Sequence, residues 1–203
     1  MKVITIGRQF GSGGRELGKK LAKALGWAYY DREIIKKIAE NTALPEDYVE
    51  KLLDRKPTAY YPASSGSTFH LSFDPHFNLS NTVYAEQSRL VRELAAKGNC
   101  IIVGRCADYI LREEKPLRIF VYADIERRVK RCMANLRPDE TGISEKEMQK
   151  KILAEDRARQ KYYRFFTGQK WGELCHYDLC LNTAVGTIDA WVDFLVKAIE
   201  ADH

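Results

Sequence analysis

The stretch best suited to chemistry on phosphate is Gly7-Arg8-Gln9-Phe10-Gly11-Ser12-Gly13-Gly14-Arg15, which sets Gly11, Gly13 and Gly14 between two arginines. Glycines at such spacing let the main chain fold back and approach an anion with no Cβ in the way. A helix opening at the turn would offer free backbone N–H groups and its positive end to phosphate. The usual phosphate loop ends in Gly-Lys-Ser/Thr, with the lysine on the β- and γ-phosphates and the hydroxyl on magnesium. Here Gly14 and Arg15 hold those two places. A turn that merely joins strand to helix is the alternative, and the strand–turn–helix context favours the cradle.

Further along, Arg157, Lys161 and Arg164 fall at i, i+4 and i+7, so three cations share one helical face. Such a face is either solvated, with Glu155 and Asp156 as local neutralisers, or a phosphate clamp. Tyr162, Tyr163, Phe165 and Phe166 beside it favour the clamp. Asp31 reads as a helix N-cap, as a carboxylate facing the ligand crevice of an open α/β sheet, or as both. The five cysteines (Cys100, Cys106, Cys132, Cys175 and Cys180) contain no Cys-x-x-Cys pair and read as reduced, mostly buried thiols. Cys175-His176 with Cys180 matches no standard zinc spacing.

The elements that must position these residues follow from pattern. Val3–Ile6, Trp27–Tyr30, Cys100–Gly104, Leu117–Tyr122 and Tyr177–Leu181 are short apolar runs suited to buried strands. Helices are expected after the glycine turn through Leu25 and Gly26, from Asp31 through Ala39, over Pro45–Leu53, and over Thr82–Lys97. Asp124 should cap a helix to about Leu136, Ser144-x-x-Glu147 is a capping box opening a long charged helix, and a last helix over Thr187–Ala201 should turn Trp191, Phe194, Leu195 and Ile199 inward. Strand–helix alternation of this kind specifies a parallel sheet. Between Asp54 and Ser80 prolines, serines and glycine break any regular element, yet Tyr60, Tyr61, Phe69, Phe73 and Phe77 suit a lid or a binding or subunit-contact loop. His70 and His76 there read as surface residues, and Arg137–Gly142 reads as a turn.

At 203 residues, with 33 basic against 28 acidic groups and a net charge of +5, the chain suits one soluble domain acting on a small anionic substrate. It carries no apolar run long enough for a membrane span and opens directly into a strand, so a cytoplasmic location and no membrane partner are expected. Nucleic acid is not an expected partner, because the cations form no broad basic face.

These parts together resemble the cytidylate kinases, and more closely the cytidylate kinase-like family of P-loop proteins. The resemblance rests on Ile4–Glu16, Tyr29-Tyr30-Asp31-Arg32-Glu33, Ile101–Tyr109 with its Gly104-Arg105 pair, Asp156–Tyr163, and Tyr177–Leu179 with Leu181-Asn182-Thr183. It implies a single domain, 1–203, with an α/β three-layer P-loop fold, a parallel sheet flanked by helices. The core would comprise 1–30, 85–132 and 173–203, the nucleoside-monophosphate-binding insert 31–84, and the helical lid 133–172. It implies ATP and Mg2+, with ATP held by Arg8, Gly11, Ser12, Gly13, Gly14, Arg15 and Glu16. Arg15, Arg157, Arg159 and Lys161 would be catalytic, and Asp31, Arg32, Arg105 and Asp108 would bind the acceptor. The metal ligands stay open, with Asp31 or Asp124 able to help hold hydrated magnesium. Gly14 departs from the family's lysine, and Val103 and Cys106 stand where acidic residues flank the Gly-Arg pair; Asp108 could replace one of them. The implied activity is transfer of the γ-phosphoryl of ATP to CMP or dCMP. The alternatives are a non-catalytic nucleotide-binding protein and a kinase for another small acceptor, and a homo-oligomer is an open expectation.

Overall fold

Five strands alternate with helices along the chain: β1 (Val3–Arg8), α1 (Gly14–Leu25), β2 (Ala28–Tyr30), α2 (Glu33–Thr42), α3 (Glu46–Asp54), α4 (Pro75–Ala95), β3 (Cys100–Val103), α5 (Ala107–Ile110), β4 (Leu117–Tyr122), α6 (Ile125–Met133), α7 (Glu145–Thr167), β5 (Leu179–Asn182) and α8 (Ile188–Glu200). The computed structural model describes residues 2–54, 75–136 and 140–201. The strands form one sheet in the order β2-β3-β1-β4-β5. All four pairings are parallel, with Ile4 of β1 opposite Ile101 of β3 on one side and Leu117 of β4 on the other.

Period-two alternation divides the strand side chains between two cores. Ile4, Ile6, Ile101, Val103, Ile119 and Val121 pack with Leu17 and Leu21 of α1 and with Val192, Leu195 and Ile199 of α8. Cys100 and Ile102 point the other way, onto Ile34, Ile35 and Ile38 of α2, Leu90, Val91 and Leu94 of α4, and Tyr162 and Tyr163 of α7. A sheet covered on both faces explains why β1 and β3 read as continuous apolar runs. The N-terminal half of α7 seats Met148 and Ile152 on Val129 of α6 in a third, smaller cluster.

Most helix ends follow their local signals. Gly26 closes α1 in a left-handed conformation, φ 67°. The Asp124 carboxylate accepts from Arg127 N–H at 2.8 Å, and the Ser144–Glu147 capping box is formed in both directions. Three expectations are corrected. Asp31 does not cap α2, whose flanking residue is Arg32 with no side-chain cap, because the Asp31 carboxylate is drawn to two arginines instead. The stretch expected to be irregular to Ser80 is helical from Pro75, the preferred first position for proline, with its fixed φ and missing N–H. Phe194 is about half exposed, since Val192, Leu195 and Ile199 already fill the buried face of α8. Tyr60, Tyr61, Phe69, His70, Phe73, the side chains of His76 and Phe77, and residues 137–139 of the expected turn lie outside the described residues.

Candidate active site

Several of the residues expected to form the site meet at the C-terminal edge of the sheet, where open parallel sheets bind ligands. Arg8 ends β1, Asp31 follows β2, and Gly104 and Arg105 follow β3. The loop from Gln9 to Gly13 is held from both flanks. Gln9 N–H donates to Val121 O at 3.0 Å, its side-chain oxygen accepts from Ala123 N–H at 3.2 Å, and Thr183 Oγ1 donates to Ser12 O at 2.7 Å. Ser12 is buried and its hydroxyl donates to Gln9 O at 2.9 Å. Gly11 and Gly13 adopt φ of 75° and 83°. A Cβ on Gly11 would come within 2.8 Å of Cys132 Sγ and 3.1 Å of Arg128 O, so neither conformation nor space admits another residue. The loop delivers the chain to the N-terminus of the twelve-residue α1, whose first N–H groups have no intrahelical acceptor.

Four arginines line the cleft beside this loop: Arg8, Arg15, Arg105 and Arg159. Asp31, buried, takes Arg15 Nε at 2.5 Å and a guanidinium nitrogen of Arg8 at 3.5 Å. Burial, and then repulsion from Arg159, push the Arg8 guanidinium down to about 9, against the opposing pull of Asp31. Arg159 reaches in from α7. It donates to Arg8 O at 3.2 Å and lies over the Phe10 ring at 5.3 Å. Arg157 and Lys161 do not reach this cleft, because the face they share with Arg164 is turned to solvent. Of the expected lid cations Arg157, Arg159 and Lys161, it is Arg159 that borders the cleft, two residues from Arg157 and on the opposite side of the helix.

Residues 104–106 place Arg105 by an uncommon route. Gly104, Arg105 and Cys106 take successive φ values of 75°, 59° and 52°, and left-handed conformations at the two non-glycine positions cost roughly 1–3 kcal/mol each. Gln87, fully buried in α4, donates to Arg105 O at 3.0 Å and holds the turn. One turn on, Asp108 is buried and accepts from the Tyr163 hydroxyl at 2.7 Å. Desolvation raises its carboxyl above the ordinary range, only partly offset by that hydrogen bond. Arg32 points elsewhere, pairing with Glu50 at 3.1 Å on the exposed side of α2. Glu16 lies on the surface of α1, bound by Arg131 at 3.2 Å and Lys20 at 3.1 Å.

Three cavities run along this edge in sequence. A space of about 670 Å3 lies between α6 and the segment after β5, bordered by Arg127, Arg131, Val185 and Thr187. It shares Gly11, Glu16, Arg131 and Asn135 with a space of about 250 Å3 over the glycine loop. That one shares Arg8, Phe10, Arg15 and Arg159 with the arginine cleft, about 420 Å3, which is also walled by Tyr162, Tyr163, Trp171 and Tyr177.

Asp156 and Arg128 were not identified from sequence as site residues. The Asp156 carboxylate accepts from Phe10 N–H at 2.8 Å and from Arg128 Nη1 at 2.5 Å, while Arg128 also donates to Phe10 O at 3.3 Å. Asp156 is thus the point at which α7 grips the glycine loop, not a neutraliser on a solvated face. The available signal was periodicity: Met148, Ile152, Asp156, Arg159 and Tyr163 recur at helical spacing on one stripe.

Residues 3–185 match the model of the Cytidylate kinase-like family. A cytidylate kinase of Methanopyrus kandleri is 24% identical over 208 residues, spanning 98% of this chain and 93% of that protein. One of Ignicoccus hospitalis is 26% identical over 200 residues, spanning 98% and 99%. Among solved structures, an uncharacterized protein from Eubacterium ventriosum superposes with a TM-score of 0.70 at 24% identity, covering 98% of this chain and 99% of that one. Shikimate kinase from Bacteroides thetaiotaomicron gives 0.57 at 15% identity, covering 98% of each. The shared architecture is the P-loop fold, a parallel sheet between two helical layers. No helix among the described residues is long and apolar enough to cross a membrane.

Proposed function

Since the chain belongs to the cytidylate kinase-like family, we propose that it is a nucleoside monophosphate kinase, passing the γ-phosphoryl of ATP to CMP or dCMP. The observation that carries this reading is the junction of two cavities at Arg8, Phe10, Arg15 and Arg159. Phosphoryl transfer needs two anions brought together with their repulsion cancelled, and little covalent chemistry from the protein. The glycine loop and the start of α1 suit the donor phosphates, and the 670 Å3 space next to them suits the adenosine. The 420 Å3 cleft lies within the usual range for a small-molecule site, with aromatic rings to flank a base and Arg105 to orient the acceptor phosphate.

In this reading 31–84 forms the acceptor-binding insert, and 133–172, built around α7, forms the lid. An acceptor phosphate oxygen attacks the γ-phosphorus as the bond to the β–γ bridging oxygen breaks, and ADP leaves with that electron pair. The phosphate acceptor is already ionised, so no general base is required. Arg15 and Arg159 meet the charge on the transferring group, the task of an arginine finger. Magnesium, when bound, would neutralise charge on the donor phosphates and be held mainly by their oxygens. It commonly needs only one or two carboxylates besides phosphate oxygens, and both candidates are already committed, Asp31 to arginines and Asp124 to a helix cap. Among the described residues no group of three or more His, Cys, Asp or Glu is gathered to hold a metal.

Coupled ADP release with magnesium-ATP against a panel of nucleoside monophosphates tests the reading. Turnover dependent on CMP or dCMP is expected. Tight ATP binding with no turnover on any nucleotide would sink it, leaving a binding protein or a kinase for another acceptor.

A further inference from the structure

The glycine at position 14 has no conformational reason to be glycine. Its φ lies outside the left-handed region that Gly11, Gly13 and Gly104 occupy. Its reason is space. A Cβ there would sit 2.6 Å from Cβ and 3.1 Å from Cγ of Arg8, and 3.3 Å from Cβ of Val121. The Arg8 side chain therefore runs across the ground from which a loop lysine would start. At its far end the same side chain lies against Gly104, whose φ of 75° favours glycine in its own right.

Arg8 is also the better placed of the two candidate cations. Its side chain is 14% exposed and borders both the loop cavity and the arginine cleft. Arg15 is 44% exposed and committed to Asp31 through its Nε at 2.5 Å. Arg8 leaves the last residue of a central strand, with its own carbonyl held by Arg159, so its origin is rigid.

We propose that Arg8 supplies the phosphate-binding charge that the missing loop lysine would supply, relocated from the start of α1 to the end of β1 and set at the junction of donor and acceptor phosphates. This rests on the phosphotransferase reading for its purpose and on the packing around Gly14 and Gly104 for its geometry. The electrostatics agree. Three further arginines crowd the Arg8 guanidinium and Asp31 only partly answers them, so an anion at the junction would meet an unbalanced positive charge. A planar guanidinium can also take two phosphate oxygens at once, which an ammonium cannot.

The test measures affinity by calorimetry for inorganic tripolyphosphate, ATP and AMP. The proteins are wild type, Arg8→Gln, Arg15→Ala, Gly14→Lys and the double variant Arg8→Gly/Gly14→Lys, each checked for folding by thermal unfolding. Arg8→Gln keeps most of the packing and removes the charge. It should weaken tripolyphosphate and ATP by about tenfold or more while changing AMP little, as expected for a lost charged hydrogen bond to phosphate. The double variant should recover most of that affinity, whereas Gly14→Lys alone should lower stability without gain. Retention of tripolyphosphate affinity by Arg8→Gln, or its full loss in Arg15→Ala, would overturn the assignment. A wild type that binds tripolyphosphate in an Arg8-dependent way but not ATP keeps the assignment and sinks the nucleotide reading. Undiminished ATP binding by Arg8→Gln, with nucleotide-dependent turnover, does the reverse.

Discussion

Replacing Asp156 by Asn should cost the protein much of its stability, although the residue lies in a helix rich in charges. Its carboxylate holds Arg128 Nη1 at 2.5 Å and Phe10 N–H at 2.8 Å, with the two side chains only 12% and 6% exposed. Removing one partner of a buried ion pair leaves the other charge uncompensated, which costs about 3–5 kcal/mol. Asparagine keeps an oxygen for Phe10 N–H, so the lower end, about 3 kcal/mol, is expected. For a chain of this size that corresponds to a fall in melting temperature of roughly 6–12 °C, readable by circular dichroism. The double variant Asp156→Asn/Arg128→Met should lose less than the sum of the two single changes, because each single change strands a charge that the double removes. A shift within about 2 °C for Asp156→Asn would refute the reasoning, being what a surface substitution gives. Additivity in the cycle would refute it as well, since it would mean that the two groups do not depend on each other.

The two faces of α7 should separate sharply in kinetics. Arg159→Ala should lower turnover by about a hundredfold, the usual effect of removing a donor aimed at developing charge, whereas Arg157→Ala should stay within about twofold. A coupled ADP-release assay checks both, and equal losses would contradict the orientation of the helix. Asp108 gives a pH prediction. Its native carboxyl titrates above the ordinary range because of burial, so the native state binds that proton more tightly than the unfolded chain. The associated stability is complete below the ordinary carboxylate pKa and is lost as pH rises through the raised native value. Asp108→Asn should therefore gain melting temperature relative to wild type at pH 7 but not at pH 3, and a difference independent of pH would count against it.

What could be read from sequence was what is decided locally. The five strands, the Asp124 cap, the Ser144–Glu147 box and the Gly26 stop each depend on residues within one turn or one strand. The site depends on residues far apart. Asp31 reads as a cap or as a carboxylate facing the crevice, and near neighbours cannot choose between them, because the groups that claim its carboxylate are Arg15 and Arg8, 16 and 23 positions back. Spacing identified Arg157, Lys161 and Arg164 as one face but carried no information on what that face meets. The neighbouring stripe of Met148, Ile152 and Tyr163 did carry it, because an apolar stripe must point inward, and Asp156 and Arg159 ride on the same stripe. A charged residue on the buried stripe of a charged helix is the feature that sequence reading passed over.

The arginine cluster also explains why position 14 is a glycine. A lysine on α1 would be a point charge on a flexible four-carbon stem. Here the guanidinium groups are fixed beforehand. Arg8 lies across Gly14 and Gly104, Arg159 is tied to Arg8 O and stacked on Phe10, and Arg105 is set by the left-handed turn that Gln87 holds. Groups fixed in advance need no reordering when charge develops, which is what makes electrostatic stabilisation effective. The cost falls on the unliganded protein, which must hold Arg8 buried among like charges. That cost is met by rigid neighbours: a central strand beneath Arg8, the Asp31 carboxylate beside it, and a loop pinned through Asp156 and Arg128. On the role proposed for Arg8, the glycine at position 14 and the grip of α7 on the loop are parts of one arrangement, since a charge carried on the strand needs the loop above it held still.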